Sequence, residues 1–383
     1  MKSFCIFSNS IEYKTYHSIS EIDSFWDNFL PENHHLKSTN LKVLENAQLP
    51  HIQYKYLVIE DNKIPIGIAY LQLLNFNSSH YNNEILNKPK LEKIKDYILK
   101  KHTNVLICGN LFRCDFQGFY FKNAENKHVI LDVVKHFAKK NEFKIKFTGA
   151  LIKDCESDFD KKHISEFCYK PFADDIIMQL CVNNQWNSFE DYQNELSRKY
   201  AQRSKKIRNH KNEIESKDLD LLAVQENATL LEKLYLNVAS KQPIKMGVLN
   251  AKYFIEMKRI WANNFKVIGY YIEKELVAFS SFITGTDKVE IHYIGFDYAQ
   301  NEKHKLYFNI IFDGLEMAIL DKKQKLSLGR TALEAKASAG AKPIYVTNYI
   351  WTKLGLPTLV YNFFNKYFKN NASNEWQTRH PFK

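Results

Sequence analysis

Charged side chains set among small ones stand out in SLGRTALEAKASAGAKP (Ser327 to Pro343). Arg330, Glu334 and Lys336 are interleaved there with Ala332, Ala335, Ala337, Ser338, Ala339, Gly340 and Ala341. Small residues let a ligand come close to the main chain. A carboxylate in such a place, Glu334, suits the removal of a proton from an incoming amine, while Arg330 or Lys336 would hold an anionic group. The plainer reading is a surface loop with a charged rim. A second concentration is ELSRKYAQRSKKIRNHKN (Glu195 to Asn212), where Arg203, Lys206 and Arg208 would stand beside an anionic donor or acceptor. Arginine grips phosphate through its planar fork and lysine acts as a point charge. Acids are scarce along this stretch, so i,i+4 pairing within it does not neutralise the face. The alternative is a solvated helix surface. In VEIHYIGF (Val289 to Phe296), His292 and Tyr293 are adjacent in an apolar run and should face opposite sides of a strand. His292 is then a candidate acid or base, beside the plainer reading of a satisfied core histidine.

These residues need a scaffold, and the chain shows one plan twice. A strand pair joined by a charged turn is followed by a strand, a helix and a further strand. The first copy runs through Tyr56 to Phe76, Val105 to Gly109, His128 to Asn141 and Phe143 to Gly149, and the second through Lys266 to Ile283, Val289 to Phe296, His304 to Lys323 and Lys325 to Gly329. Repeated units share one fold, so two related α/β domains are expected, residues 1–160 and 165–383, with the boundary in the aperiodic run Leu151 to His163. The stretch Asn77 to Thr103 is polar and interrupts only the first copy. Ser20 with Asp23 reads as a helix start for EIDSFWDNFL, and Leu41 to Leu49 as a second short helix. Phe172 to Val182 opens the second half as a strand. Ser188 with Asp191 then caps one long helix to about Ser216, free of Gly and Pro. Leu219 to Gln225 reads as a strand, Ala228 to Ser240 and Asn250 to Asn264 as amphipathic helices, and Val346 to about Asn370 as helix-compatible.

Composition bounds the class. With 45% hydrophobic and 25% charged residues over 383 positions, the chain is an ordinary soluble globular one, long enough for two cores. The net charge of +11 favours polyanionic partners: a nucleotide cofactor, RNA or an acidic membrane surface. No apolar run reaches the ~20 residues of a membrane span or forms a leader, so a cytoplasmic location is expected, with peripheral membrane contact left open. Cys5, Cys108, Cys114, Cys155, Cys168 and Cys181 show no CxxC spacing, which predicts reduced, mostly buried thiols and no zinc site. His34 and His35, adjacent, are expected at the surface rather than as ligands.

The order of the second half (strand, two helices, three antiparallel strands, helix, strand) resembles the GNAT acyltransferase superfamily. Two such units, with a basic helix opening the second, resemble its Fem-like branch, which includes peptidoglycan-bridge aminoacyl transferases. The basic helix at Glu195 to Asn212 and the charged segment after Gly329 carry that resemblance. It implies a tandem GNAT-like α/β fold with mixed sheets and transfer of an acyl or aminoacyl group, expected to reach an amine acceptor. The donor would be acyl-CoA or aminoacyl-tRNA, and the acceptor a small molecule or a cell-envelope precursor. It also places the reaction centre where two central strands splay apart. One departure stands out. Where a glycine-rich loop would cradle the CoA pyrophosphate, the chain reads DYAQNEKHKLYF (Asp297 to Phe308) without glycine. Gln300, Lys303, His304 and Lys305 are the residues there for an anionic cofactor. The rival expectation is a degenerate, non-catalytic module that binds RNA or an anionic cell-envelope precursor.

Overall fold

Near-continuous apolar strands joined by a charged two-residue turn build the centre of each half. In the computed structural model, residues 3–6, 10–80, 103–140, 145–155, 159, 161–171, 175–242, 245–353 and 379–383 are described. They form two units. One holds the described residues of Met1–Asp175, Pro243–Val248 and Val346–Asn370; the other holds those of Ile176–Gln242, Leu249–Tyr345 and Asn371–Lys383.

The first unit contains β1 (Ser3–Ile6), β2 (Ile11–Tyr16), α1 (Asp23–Phe29), α2 (Ser38–Ala47), β3 (Ile52–Asp61), β4 (Ile64–Phe76), β5 (Thr103–Cys108), β6 (Phe119–Phe121), α3 (Val129–Lys140), β7 (Phe147–Cys155), α4 (Lys161–Glu166) and β8 (Lys170–Pro171). The last strand among the described residues, β15 (Lys342–Thr352), closes its sheet. The order is β1-β2-β3-β4-β5-β7-β15, antiparallel throughout except for β5 with β7. A parallel pair needs a crossover, and α3 supplies it. Its Ile130, Val133, Val134 and Phe137 bury one stripe against Leu57, Leu71, Leu106 and Ile152 of the sheet.

The second unit repeats this kernel. It comprises β9 (Asp175–Cys181), α5 (Phe189–Glu195), α6 (Arg198–Asn209), β10 (Glu215–Asp218), α7 (Leu221–Glu226), α8 (Ala228–Ala239), α9 (Ala251–Trp261), β11 (Phe265–Ile272), β12 (Glu275–Thr284), β13 (Lys288–Phe296), α10 (Tyr298–His304), α11 (Leu306–Leu320), β14 (Lys325–Gly329) and α12 (Leu333–Ser338). Its sheet runs β9-β14-β13-β12-β11-β10, parallel only between β13 and β14. So β3-β4-β5-α3-β7 and β11-β12-β13-α11-β14 are the same construction. Both hairpins turn on two successive left-handed residues, Asn62 and Lys63 (φ 48° and 68°) and Glu273 and Lys274 (φ 51° and 70°). That geometry matches the strand twist, at a cost of roughly 1 kcal/mol for each non-glycine residue.

Two features of β13 matter for function. Its pairing with β14 is confined to Lys288–Glu290 against Lys325–Ser327, while β13 continues to Phe296, so the two parallel strands part after three residues. α8 then lies directly on β13 at Gly295, where an added Cβ would sit 2.5 Å from the main chain of Leu234 and Tyr235.

Several local expectations are corrected. The long helix is two, because Leu196 and Ser197 are extended (ψ 145° and 153°) and bond to the last residues: Leu196 bridges Phe382, and the Ser197 N–H donates to the Pro381 carbonyl at 2.8 Å. Residues 219–225 include helix α7, not a strand, because the Asp220 side chain caps it by accepting from the Ala223 N–H. The capping box near the start is Ser18 with Glu21 rather than Ser20 with Asp23. The aperiodic run 151–163 holds the end of β7 and the start of α4, and the units divide later, at Asp175. Residues 346–352 are strand, with 354–370 outside the described residues. His34 and His35 are half-buried and their rings stack at 4.3 Å. Cys108 and Cys155 are buried, but Cys168 and Cys181 are exposed. No helix among the described residues is long and apolar enough to cross a membrane.

Candidate functional site

The basic helix and the small-residue segment, far apart in sequence, line one cavity of the second unit. It has a volume of about 360 Å³ and is bounded by Lys199, Tyr200 and Arg203 of α6, Phe308 of α11, Glu334, Ala335 and Ser338 of α12, and Arg379. That volume suits a small organic group rather than a macromolecule. Three cations and one carboxylate face it, with two aromatic rings as walls. The Arg203 guanidinium lies 4.8 Å from the centre of the Phe308 ring, and Arg379 forms an ion pair with Glu334. Glu334 remains half-exposed, at 51% for its side chain, so it is open to a ligand.

The segment leading into α12 carries backbone strain. After Gly329 (φ 68°), Thr331 and Ala332 also take left-handed values of 60° and 48°. A β-branched residue at positive φ is a genuine outlier, and such strain collects where structure is held for function. Lys336 holds this turn from inside. It is 6% exposed, and its ammonium donates to the Arg330 carbonyl. The arrival of Arg379 is equally built, since residues 379–383 pack onto the second unit. Phe382 packs tilted against Trp186 and edge-on to Tyr192, and the Lys383 N–H donates to the Glu195 carbonyl at 3.0 Å.

The other expected site residues lie elsewhere. Arg208 turns from the cavity to bond Asp313 Oδ1 at 2.5 Å and Glu316 Oε2 at 2.9 Å, its guanidinium 4.4 Å from the Phe189 ring centre. Its charge is spent on packing α6 against α11. Lys206 is exposed on α6 and Arg330 half-buried in the strained turn, neither lining the cavity. Lys336 faces inward, so it is a brace for Arg330 and not an anion grip.

His292 is a special case. Ser281 pairs with Tyr293 and Phe282 with Ile291, which leaves His292 as the extra residue of a β-bulge. Bulges re-aim side chains. Instead of facing opposite sides, His292 and Tyr293 both turn to the helices: the Tyr253 hydroxyl lies 2.7 Å from His292 Nε2, and the Tyr293 ring lies 5.4 Å from that of Tyr235. His292 Nδ1 is 3.4 Å from Glu290 Oε1, and its side chain is only 1% exposed. That is the environment of a satisfied core histidine beside the strand splay. Burial pushes the Tyr235 phenol up to about 12.

Residues 297–308, where the resemblance would put a pyrophosphate cradle, offer no glycine-built backbone cradle. Asp297 caps α10 with its own carboxylate, accepting from the Gln300 N–H at 3.0 Å, so an acid already occupies the N-cap. Lys305, at φ 55°, donates back to the Glu302 carbonyl at 2.6 Å. His304 is 2% exposed, Lys303 points to solvent, and none of these four residues lines the cavity. Residues not foreseen from sequence are Lys199, Phe308 and Arg379, together with the acids Asp313 and Glu316. Only the basic run hinted at Lys199; long-range packing brought the rest.

No protein family matches the sequence, and no curated protein does. Solved structures do match over nearly the whole chain. "Crystal structure of FemX" aligns with a TM-score of 0.51 at 10% identity, covering 92% of this chain and 99% of that one. A "Tandem GNAT protein from the clavulanic acid biosynthesis pathway (without AcCoA)" aligns with a TM-score of 0.52 at 9% identity, covering 89% and 98%. The chain therefore has the tandem GNAT, FemX-like fold.

Proposed function

We propose that the second unit transfers an acyl or aminoacyl group to an amine acceptor, using the cavity between α6, α11 and α12. The observation that carries this reading is the meeting of Arg203 and Glu334 in one pocket of about 360 Å³. Arg203, Lys199 and Arg379 would hold anionic groups of donor or acceptor, Tyr200 and Phe308 would wall the apolar part, and Glu334 would accept the proton of the attacking amine. The fold supports this reading, since the aligned structures are a FemX and a tandem GNAT protein. The donor is an acyl-CoA or an aminoacyl-tRNA. The capped, glycine-free turn at Asp297 weighs toward the tRNA, and the net charge of +11 is compatible with it. Only the aminoacyl end would need to enter a pocket of this size. A cell-envelope precursor bearing an amine is the acceptor class the FemX likeness suggests, reached from the cytoplasmic side.

The test is transfer of a radiolabelled acyl or aminoacyl group from each donor to a panel of amines, with purified chain. Glu334→Gln should lower kcat by ~10²-fold or more at similar KM, as expected for loss of a general base. Arg203→Ala should mainly raise KM. Unaltered turnover in Glu334→Gln would remove Glu334 from the chemistry. A second reading, a non-catalytic binder of RNA or an anionic precursor, is favoured by the same Asp297 cap. It requires Arg203→Glu to abolish binding, Glu334→Gln to leave it intact, and no transfer to any amine.

A further inference from the structure

Three potential metal ligands converge where the basic helix ends. His210 and Glu213 lie in the short turn that follows α6, and His304 ends α10. One ligand atom from each lies within 4.8 Å of the others. His304 makes the cluster more than a chance meeting. It is 2% exposed, yet neither of its ring nitrogens is in a hydrogen bond. Nδ1 is 2.7 Å from Glu213 Oε2, off the alignment that a hydrogen bond needs. The His210 ring stands perpendicular to that of His304, with centroids 6.5 Å apart. A buried imidazole without hydrogen bonds is costly unless something else takes its lone pair.

We propose that His210, Glu213 and His304 bind a divalent transition-metal ion, zinc first. Two imidazoles and one carboxylate form a borderline-soft set that suits Zn²⁺, and also Co²⁺ or Ni²⁺, over Ca²⁺ or Mg²⁺. Three protein ligands leave a fourth position for water. Metal–ligand bonds of about 2.0–2.2 Å require the three atoms to draw together by a modest side-chain rotation, which the exposed Glu213 and half-buried His210 allow. The nearby cations do not forbid it. Arg208 and Lys211 are each bound to Asp313, at 2.5 Å, and Arg208 also to Glu316. Lys305 is turned to the Glu302 carbonyl, which leaves exposed Lys303 as the nearby repulsive charge on α10. The ion would pin the end of α6 to α10, fixing the helix that presents Lys199 and Arg203 to the cavity. The proposal is independent of the chemistry in that cavity, and it replaces the expectation of no metal, which rested on cysteine spacing.

The experiment uses the full chain without a polyhistidine tag, stripped with EDTA. Zn²⁺ is titrated by calorimetry and Co²⁺ by its ligand-field absorption, which reports coordination number. The expected result is one site per chain with micromolar or tighter affinity and a four- or five-coordinate cobalt spectrum. His210→Ala and Glu213→Gln, both at accessible positions, should each weaken binding by about tenfold or more while preserving the circular dichroism spectrum. His304→Asn should abolish binding if it folds, and the first two variants decide the matter if it does not. Absence of a single site, an octahedral all-water cobalt spectrum, or undiminished binding in the His210→Ala, Glu213→Gln double variant would overturn the proposal and leave a His304–Glu213 contact alone.

Discussion

Arg208 and Arg203 sit on one helix and should behave oppositely, one as structure and one as ligand grip. The Arg208 side chain is 15% exposed and holds Asp313, itself 13% exposed, together with the more open Glu316. A charged hydrogen bond at this depth contributes about 1.5–3 kcal/mol, the exposed Glu316 pair about 0.5, and the face of Phe189 about 0.5–1. Lys211 stays on Asp313 at 2.5 Å and offsets part of the loss. Arg208→Ala should therefore cost about 2–3 kcal/mol in urea denaturation, a drop in Tm of roughly 4–12 °C. Arg203 is exposed with Phe308 beneath it, so Arg203→Ala should cost less than about 1 kcal/mol while weakening ligand binding. A double-mutant cycle of Arg208→Ala with Asp313→Asn should show a coupling of about 1 kcal/mol or more. Equal stability losses in the two arginine variants, or a loss below about 0.5 kcal/mol for Arg208→Ala, would refute this division of labour.

The first unit should weaken in acid. Burial lowers His34 and His80 to about 4, and each Nδ1 accepts from a main-chain N–H, Leu36 for one and Asn77 for the other. Their folded pKa values lie below the ordinary 6.5, so the unfolded state binds more protons between pH 6.5 and 4, and stability is lost as pH falls through that window. The slope should approach about 1.4 kcal/mol per pH unit per histidine, and His34→Asn should flatten it in denaturation at about pH 7.5 and about pH 4.5. Lys274→Gly, at φ 70°, should raise stability by about 0.5–1 kcal/mol by relieving a left-handed lysine, measurable as a higher urea midpoint. Gly295→Ala should cost upward of about 2 kcal/mol, since its methyl would meet the main chain of α8, and would disturb the end of β13 where the strands part.

Much of the kernel was legible because its signals are local. Apolar runs flanking the charged turns at Asn62-Lys63 and Glu273-Lys274, each followed by a strand, a helix and a further strand, specify two equivalent folds by their order and turn chemistry. What failed was set at a distance. Nothing within Glu195 to Ser216 announces a break, because the partner that keeps Leu196 and Ser197 extended is the pair Pro381 and Phe382. The scarcity of acids on the basic stretch read as an open cationic face, yet Asp313 and Glu316 arrive from another helix to consume Arg208. His292 reads as part of a regular strand, and a bulge, invisible in the sequence, turns it inward. The pairing of Arg203 with Glu334 in one cavity was foreseeable only as two separate candidates, since packing alone brings α6 to α12.

Donor binding tests the central claim most directly. The full chain would be titrated at low salt with acetyl-CoA and with aminoacyl-tRNA, beside Arg203→Glu and Glu334→Gln. The cavity account predicts micromolar binding of one donor, weakened about tenfold or more by Arg203→Glu and little changed by Glu334→Gln, because a base for the acceptor need not hold the donor. Binding of neither donor, or equal binding by wild type and Arg203→Glu, would contradict it.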